Sequence, residues 1–272
     1  MGELAPDLAS TDILPGTRRV PFSVSMLGWA LNEEESVAVY IDRASALLGA
    51  VTADYELVLI DDGSTDRTWE IMTECRRTRP WLRAYRNERN RGSGYNTKRA
   101  IALATKEYLF WQTVDWAYDI RYLMQALNDL SSVDVLQGVR VDTTSPRGML
   151  DQRSDTAYKG LVSVVNYRLV RTLFRLPLRD YQNVTVYPRT LIQSVTLETE
   201  SAFTNPECLL KTWWRGATFK EVPVPFVKRQ RGRGTGTRPM AVLAAIRDIL
   251  YWWARWILLG RRTDRGQGRV VL

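Results

Sequence analysis

The 272-residue chain contains no histidine. That absence excludes histidine-based triads, imidazole acid–base catalysis and histidine metal ligation. Chemistry must run on carboxylates, lysine or arginine, hydroxyls or a bound metal. Cysteine is nearly missing too. Cys75 and Cys208 are too few for a disulfide framework and lack zinc-site spacing, so a reducing cytoplasm is expected. The opening stretch MGELAPDLASTDILPG has no basic n-region and no apolar h-region, unlike a secretory signal. No internal repeat is visible, and low complexity is confined to residues 229–237. A phosphate-binding GxxxxGK[ST] is absent, and the stretch from Gly92 fails as a GxGxxG because Thr97 stands at its third glycine.

What is present is an ordinary globular composition, 45% hydrophobic and 25% charged. The net charge of +8 is unevenly placed. Residues 226–272 hold eleven Lys/Arg against two Asp/Glu, which leaves the rest of the chain near neutral. A basic tail on a neutral body points to an anionic partner, nucleic acid or phospholipid. The chain divides into a loose arm (1–19), one α/β domain (20–237) and a basic, Trp-rich amphipathic tail (238–272).

Apolar runs alternate with amphipathic ones up to residue 139. Strands are predicted at 20–27, 55–62, 82–86, 107–113 and 133–139, and helices at 33–48, 66–77, 97–104 and 120–130. This order predicts βαβ units and a mainly parallel central sheet flanked by helices. Ligands then bind beyond the carboxyl ends of the strands. Later come helices over 154–174, 206–214 and 239–260. Residues 217–226 read as a strand with two prolines, hence an edge.

Two acidic clusters fall at strand ends. Asp61 and Asp62 sit where an apolar strand stops, in IDDGSTD, and a carboxylate there can receive a ribose hydroxyl or a base N–H. The bland alternative is a turn with a helix cap, which leaves the second acid unexplained. Asp115 and Asp119, in VDWAYD, suit a hard cation such as Mg²⁺ or Mn²⁺, which takes oxygen ligands and completes its shell with water and phosphate. Here the alternative is that Asp119 caps a helix. Between them NRGSGYNTKR opens a helix with glycines, either a phosphate approach or a plain turn.

Taken in order, these segments resemble glycosyltransferase family 2, of GT-A fold, and within it the polyprenyl-phosphate glycosyltransferase group. ALNEEE (30–35), IDDGSTD, NRGSGYNTKRA, VDWAYD, GVR (138–140), DYQNVTVYPR (180–189), FTNPECLLK (203–211) and EVPVPFVKR (221–229) carry the likeness. Three positions depart from it. Trp29 and Leu31 replace the Pro and Tyr usual before the Asn-Glu pair, Ala117 replaces the second Asp of the metal motif, and Val184 replaces a glycine.

The resemblance implies an inverting transfer from a nucleotide-diphosphate sugar, with Mg²⁺ or Mn²⁺ held by Asp115 and Asp119. It implies a donor nucleotide site from Leu31, Glu33, Asp61, Asp62, Gly92, Lys98 and Asp115. If the acceptor is a polyprenyl phosphate, its oxygen is already anionic and no strong base is needed. Arg140, Arg229 and Arg231 are then the candidates to cradle that phosphate, with Arg229 also at the reacting centre. A hydroxyl acceptor requires a base, for which Asp180 and Glu207 are the candidates. The alternative for Glu33 is a helix N-terminal acid, for each arginine a solvated side chain, and for Asp180 and Glu207 structural roles.

The helix over 239–260 is long enough to cross a bilayer, but Arg247, Asp248 and Arg255 oppose this by roughly 2.5–3.5 kcal/mol per central charge. With Trp252, Trp253 and Trp256 it suits a helix lying on an anionic membrane surface, which predicts peripheral association. Docking on the protein's own sheet is the alternative. Competing readings are a soluble or polymeric acceptor, a non-catalytic relative, and a nucleic-acid-binding module. The last is disfavoured because acidic strand ends repel phosphate in the absence of a metal.

Overall fold

Strands β1 (Val24–Ala30) and β2 (Tyr55–Asp61) form because VSMLGWA and YELVLID are almost wholly apolar, and both are buried on both faces. A computed structural model of the chain describes residues 13–140, 157–225, 239–262 and 266–271. The other strands are β3 (Leu82–Arg86), β4 (Tyr108–Trp111), β5 (Val135–Val139), β6 (Thr185–Pro188), β7 (Thr218–Pro223) and β8 (Arg269–Val271). They join one sheet in the order β3-β2-β1-β4-β6-β5-β7-β8. All neighbours pair in parallel except β6, which runs antiparallel to β4 and β5. The mainly parallel sheet expected from the sequence is therefore present.

Alternate strand residues feed two cores. Met26, Leu57 and Leu59 join one layer with helix α1 (Val37–Val51), whose Val37, Tyr40, Ile41, Ala44, Leu48 and Val51 are spaced to bury one face. Leu27, Val58 and Ile60 join the other, against α3 (Ser93–Leu103), α5 (Ala157–Phe174) and α7 (Thr204–Trp214). Each fully buried Leu, Ile or Val contributes roughly 1.5–3 kcal/mol. Helices α2 (Thr68–Thr78), α4 (Arg121–Gln125) and α6 (Arg189–Ser194) complete the body.

Several expectations need correction. Helix α3 starts at Ser93 rather than 97, because Gly92 has φ +82° and its carbonyl already takes the Asn96 N–H. The helix expected at 120–130 breaks into α4 and a 3₁₀ segment, Leu127–Ser131. Strand β7 is not an edge, since β5 flanks it on one side and β8 on the other. Pro223 is tolerated because β8 reaches only to Lys220, so no neighbour there needs the missing N–H. Of the arm, residues 13–19 are described and are held down. Gln125 Nε2 donates to Pro15 O (2.8 Å), and Arg19 reaches Gly49 O (2.9 Å). Residues 154–156 of the long predicted helix lie outside the described residues.

The tail helix α8 (Pro239–Trp253) continues as a π-type turn over Ala254–Leu258. Its tryptophans face the protein, contrary to the interfacial arrangement expected of them. Trp256 is 1% exposed, packed against Phe174, Phe203 and Trp214, and its Nε1 donates to Glu198 Oε2 (2.8 Å). An indole N–H that would be orphaned in a lipid tail region finds a carboxylate here. The outward side carries Leu243, Leu250, Tyr251, Leu258 and Leu259, all exposed. No described helix is long and apolar enough to cross a membrane.

Candidate active site

The loops after β1 and β2 are knitted to each other. Asn32, held at φ +54°, donates its N–H to Ser64 Oγ (2.9 Å) and accepts from Thr65 N (2.9 Å). Glu33 N donates to Thr68 Oγ1 (2.8 Å), and Glu34 Oε2 accepts from Arg67 N (3.1 Å). The Glu34 carboxylate thus ties the loop after β1 to the start of α2. The Glu33 carboxylate takes the Ser36 hydroxyl. Leu31, next to Asn32, is 40% exposed.

Asp61 and Asp62 are both buried but do different work. Asp61 Oδ1 accepts from Ser64 N (3.1 Å), and Arg86 Nε lies 2.9 Å from Oδ2, an ion pair without an aligned N–H. Asp62 latches the glycine-rich turn. Its Oδ1 accepts from Asn87 Nδ2 (2.7 Å) and Arg91 N (2.9 Å), and its Oδ2 from Gly92 N (3.0 Å). This explains the second acid, which a turn and cap left over. Gly94 meets the segment 200–201 rather than open space, because a Cβ there would lie 2.2 Å from Glu200 C. Lys98, expected at the donor, pairs with Glu200 Oε1 at 3.2 Å.

The loop after β4 is anchored by an indole. Trp116 has φ +49°, rare for a bulky residue. Its ring is buried against Tyr40 (5.4 Å between centroids) and under the Arg43 guanidinium (4.2 Å). This fixes the half-buried Asp115 just before it. The Tyr40 hydroxyl is pushed well above the usual phenol range, first by burial and then by the Asp115 charge. Asp119 is elsewhere committed. Both its oxygens receive Arg121, from Nε at 2.8 Å and Nη2 at 2.7 Å. The expected Asp115–Asp119 metal pair is therefore not assembled as two open carboxylates, because a guanidinium already neutralises Asp119. Among the described residues no group of three or more Asp, Glu or Cys gathers as a metal cage. One carboxylate still fits an ion that arrives with phosphate, since Mg²⁺ keeps water and substrate oxygens for most of its shell.

Beyond the end of β4 a pocket of about 290 Å³ opens between Trp29, Trp111, Gln112, Thr113, Tyr118 and Asn183. Ala117, in the place of the usual second Asp, lines it. Gln112 and Thr113 were invisible to sequence reading because they look like the end of an apolar strand. Their only signal is two polar residues just before the acidic motif.

Three of the remaining candidates are closed. Arg140 is buried and forks onto Asp180, with Nε–Oδ2 at 2.7 Å and Nη2–Oδ1 at 2.6 Å. Burial works against the Arg140 charge, but the Asp180 charge outweighs it and holds the proton more tightly than usual. Asp180 also receives Gln182 N at 3.1 Å. So Arg140 does not face an acceptor phosphate, and Asp180 is not a base in this geometry. Glu207, fully buried, accepts from Glu198 N (2.7 Å), Thr199 N (2.8 Å) and Lys211 Nζ (2.8 Å), which excludes it as a poised base. Arg229 and Arg231 lie outside the described residues.

The glycosyl transferase family 2 model matches residues 29–190. Glycosyltransferase AglD of Haloferax volcanii is 27% identical over 209 residues, 74% of this chain and 32% of that protein. An undecaprenyl-phosphate 4-deoxy-4-formamido-L-arabinose transferase of Yersinia enterocolitica is 42% identical over 50 residues, 18% of this chain and 15% of its own length. The chain thus spans about a third or less of these curated relatives. Among solved structures, glucosyl-3-phosphoglycerate synthase of Mycobacterium tuberculosis, with Mn²⁺, UDP and phosphoglyceric acid, superposes with TM-score 0.57 at 18% identity, covering 86% of this chain and 78% of that one. Mannosyl-3-phosphoglycerate synthase of Rubrobacter xylanophilus gives 0.61 at 14% identity, covering 89% and 76%. The fold is of the GT-A type, and with most of its strand-end motifs inside the matched span the chain belongs to glycosyl transferase family 2.

Proposed function

We propose that this protein transfers a sugar from a nucleotide-diphosphate donor to a polyprenyl phosphate at the cytoplasmic face of a membrane, with Mg²⁺ or Mn²⁺. The observation that carries the proposal is the half-buried Asp115 beyond the end of β4, between Thr113 and Ala117, which both line an uncharged pocket. Relatives named for undecaprenyl phosphate and solved structures holding Mn²⁺ and UDP support it. When bound, the metal supplies Lewis-acid neutralisation of the leaving diphosphate, and Asp115 would hold it.

The chain's own residues do the rest. Asp62 fixes the Arg91 and Gly92 N–H groups, so the glycine-rich turn keeps one shape while the donor binds. Asp61 and Arg86 shape the nucleoside end. Trp116 holds the Asp115 loop rigid against the core. A phosphate acceptor needs no proton removed, which agrees with a site whose buried Asp180 and Glu207 are saturated by hydrogen bonds. Arg229 and Arg231 remain candidates for that phosphate.

The outward leucines of α8, with the exposed Arg247 among them and Arg261 beyond, suit an anionic lipid surface. Each Lys or Arg near such a surface adds roughly 1 kcal/mol. The test is a screen of radiolabelled nucleotide sugars with polyprenyl phosphate in anionic vesicles, scored by organic extraction. Label in the organic phase with at least one donor is expected. Label transferred only to water-soluble acceptors such as phosphoglycerate would replace the lipid reading with a soluble one.

A further inference from the structure

We infer that Glu198 is a positioning residue that ties the tail helix to one wall of the candidate site, so that seating of the tail sets the shape of the glycine-rich turn. The coupling stands without the transfer reading, and its consequence for the donor rests on that reading.

Residues 196–203 run between α6 and α7 and touch the tail at one end and the site at the other. At the tail end, the Glu198 carboxylate gathers donors from two elements. Its Oε2 accepts from Lys211 Nζ of α7 (2.8 Å) and from Trp256 Nε1 (2.8 Å), and its Oε1 lies 3.4 Å from both Nε and Nη2 of Arg255. Arg255 and Trp256 belong to the π-type turn that follows α8, so two consecutive tail residues meet one carboxylate. Burial alone would raise the Glu198 carboxyl, but Lys211, Trp256 and Arg255 hold it below its usual range. The site end lies two residues on. Glu200 pairs with Lys98 Nζ of α3 at 3.2 Å. The peptide joining Glu200 to Ser201 lies flat against Gly94, where a Cβ would come within 2.6 Å of Ser201 N. Ser201 and Ala202 then line the pocket opposite no gap in the chain, alongside Ser93, Gly94 and Thr97 of the glycine-rich turn.

Between its ends the segment is stiff. Glu207 accepts from the N–H groups of Glu198 (2.7 Å) and Thr199 (2.8 Å) and from the Thr199 hydroxyl (2.6 Å), which also lies 2.9 Å from Thr204 Oγ1. Lys211 Nζ bridges the two acids, 2.8 Å from Glu198 Oε2 and 2.8 Å from Glu207 Oε1. The same ammonium therefore serves the tail contact and the clamp on the segment. Neutralising Glu198 releases Arg255 and the indole N–H and leaves Lys211 to Glu207 alone, which shifts the clamp and the backbone that it holds. A clamped segment moves as one body, so the shift reaches the peptide against Gly94. Coupling of this kind passes through contiguous packed groups, and it is reciprocal. A disturbance at Gly94 must then be felt at the tail.

Hydrogen exchange of the full chain without ligand, read by mass spectrometry, tests both directions. Glu198→Gln keeps the side-chain volume and removes the charge, and Trp256→Phe removes the same hydrogen bond from the tail side. Each should speed exchange about ten-fold in peptides covering 93–98 and 199–204, as expected for loss of a hydrogen bond to a charged acceptor. Peptides from α1 and β2 should keep the wild-type rate. In reverse, Gly94→Ala should speed exchange in 250–258, although the backbone that its methyl meets is that of 200 and 201. Lys98→Met, which frees Glu200 without a clash, should repeat the reverse effect more weakly and serves if Gly94→Ala does not fold. In the extraction assay the donor KM of Glu198→Gln should rise while kcat holds, because the turn is loosened and no reacting group is removed. Acceleration confined to 196–203 and the tail, or a tail indifferent to both reverse variants, would overturn the coupling. Uniform acceleration throughout the protein would make Glu198 a general stability residue, and an unchanged KM beside faster exchange at 93–98 would remove it from the site. Absence of transfer with every donor would sink the transfer reading, and the exchange result would still decide the coupling.

Discussion

Asp62→Asn is the substitution that isolates the latch on the glycine-rich turn. The carboxylate receives three donors: Asn87 Nδ2 at 2.7 Å, Arg91 N at 2.9 Å and Gly92 N at 3.0 Å. Asparagine keeps an oxygen for the first two but presents an NH₂ to the third. One hydrogen bond to a charged acceptor is lost, worth about 1.5–3 kcal/mol, and an N–H is left facing an N–H. A local cost of about 2–3 kcal/mol follows, or about 30- to 150-fold in an opening equilibrium. Hydrogen exchange read by mass spectrometry should show that acceleration in peptides covering 90–96. Peptides from α1 should change little, because additivity fails only for neighbours. Donor KM should rise with the same variant. Unchanged exchange across 90–96 would refute the latch, and uniform acceleration throughout the protein would make Asp62 a general stability residue.

Three further outcomes follow from the same geometry. Asp180→Asn leaves Arg140 buried beside a neutral partner, so urea unfolding should report a loss of about 3–5 kcal/mol, whereas a catalytic base would lose activity with little change in stability. Trp256→Ala should cost about 3–5 kcal/mol in unfolding free energy, while Leu250→Ala on the exposed side of the same helix should cost little and lower sedimentation with anionic vesicles; the reverse order would turn α8 over. Glu56 is lifted by burial, but hydrogen bonds from Ser25, Arg83 and Thr105 outweigh this and hold it below its usual value. A depressed folded-state pKa stabilises above the unfolded value, about 4.3, and this stability is lost as pH falls through the lower folded value. Glu56→Gln should therefore flatten the acid limb of a stability–pH curve, and an unchanged limb would remove Glu56 from it.

The alternation of apolar strands and amphipathic helices made the sheet legible, because side-chain periodicity is local. The acidic strand ends were legible as positions, and less so as roles. Nothing local in IDDGSTD reveals that Asp62 reaches residues 91 and 92. Nor does VDWAYD reveal that Arg121, two residues on, folds back to occupy Asp119. The Arg140–Asp180 pair joins residues forty apart in sequence, so each looked available alone. The tryptophans of α8 misled because amphipathicity shows that a helix has two faces without showing which neighbour each face meets. β8 was missed because three residues after a glycine-rich stretch carry too little pattern, and only pairing with β7 defines it.

The most direct test of the central claim is calorimetric titration of the full chain with UDP and GDP, with Mn²⁺ and with EDTA, in wild type and Asp115→Asn. At least one diphosphate should bind with Mn²⁺, EDTA should abolish or sharply weaken that binding, and Asp115→Asn should do the same without lowering the melting temperature. Binding that is indifferent to both EDTA and Asp115→Asn, or no binding of either diphosphate, would contradict a metal-dependent donor site at the end of β4.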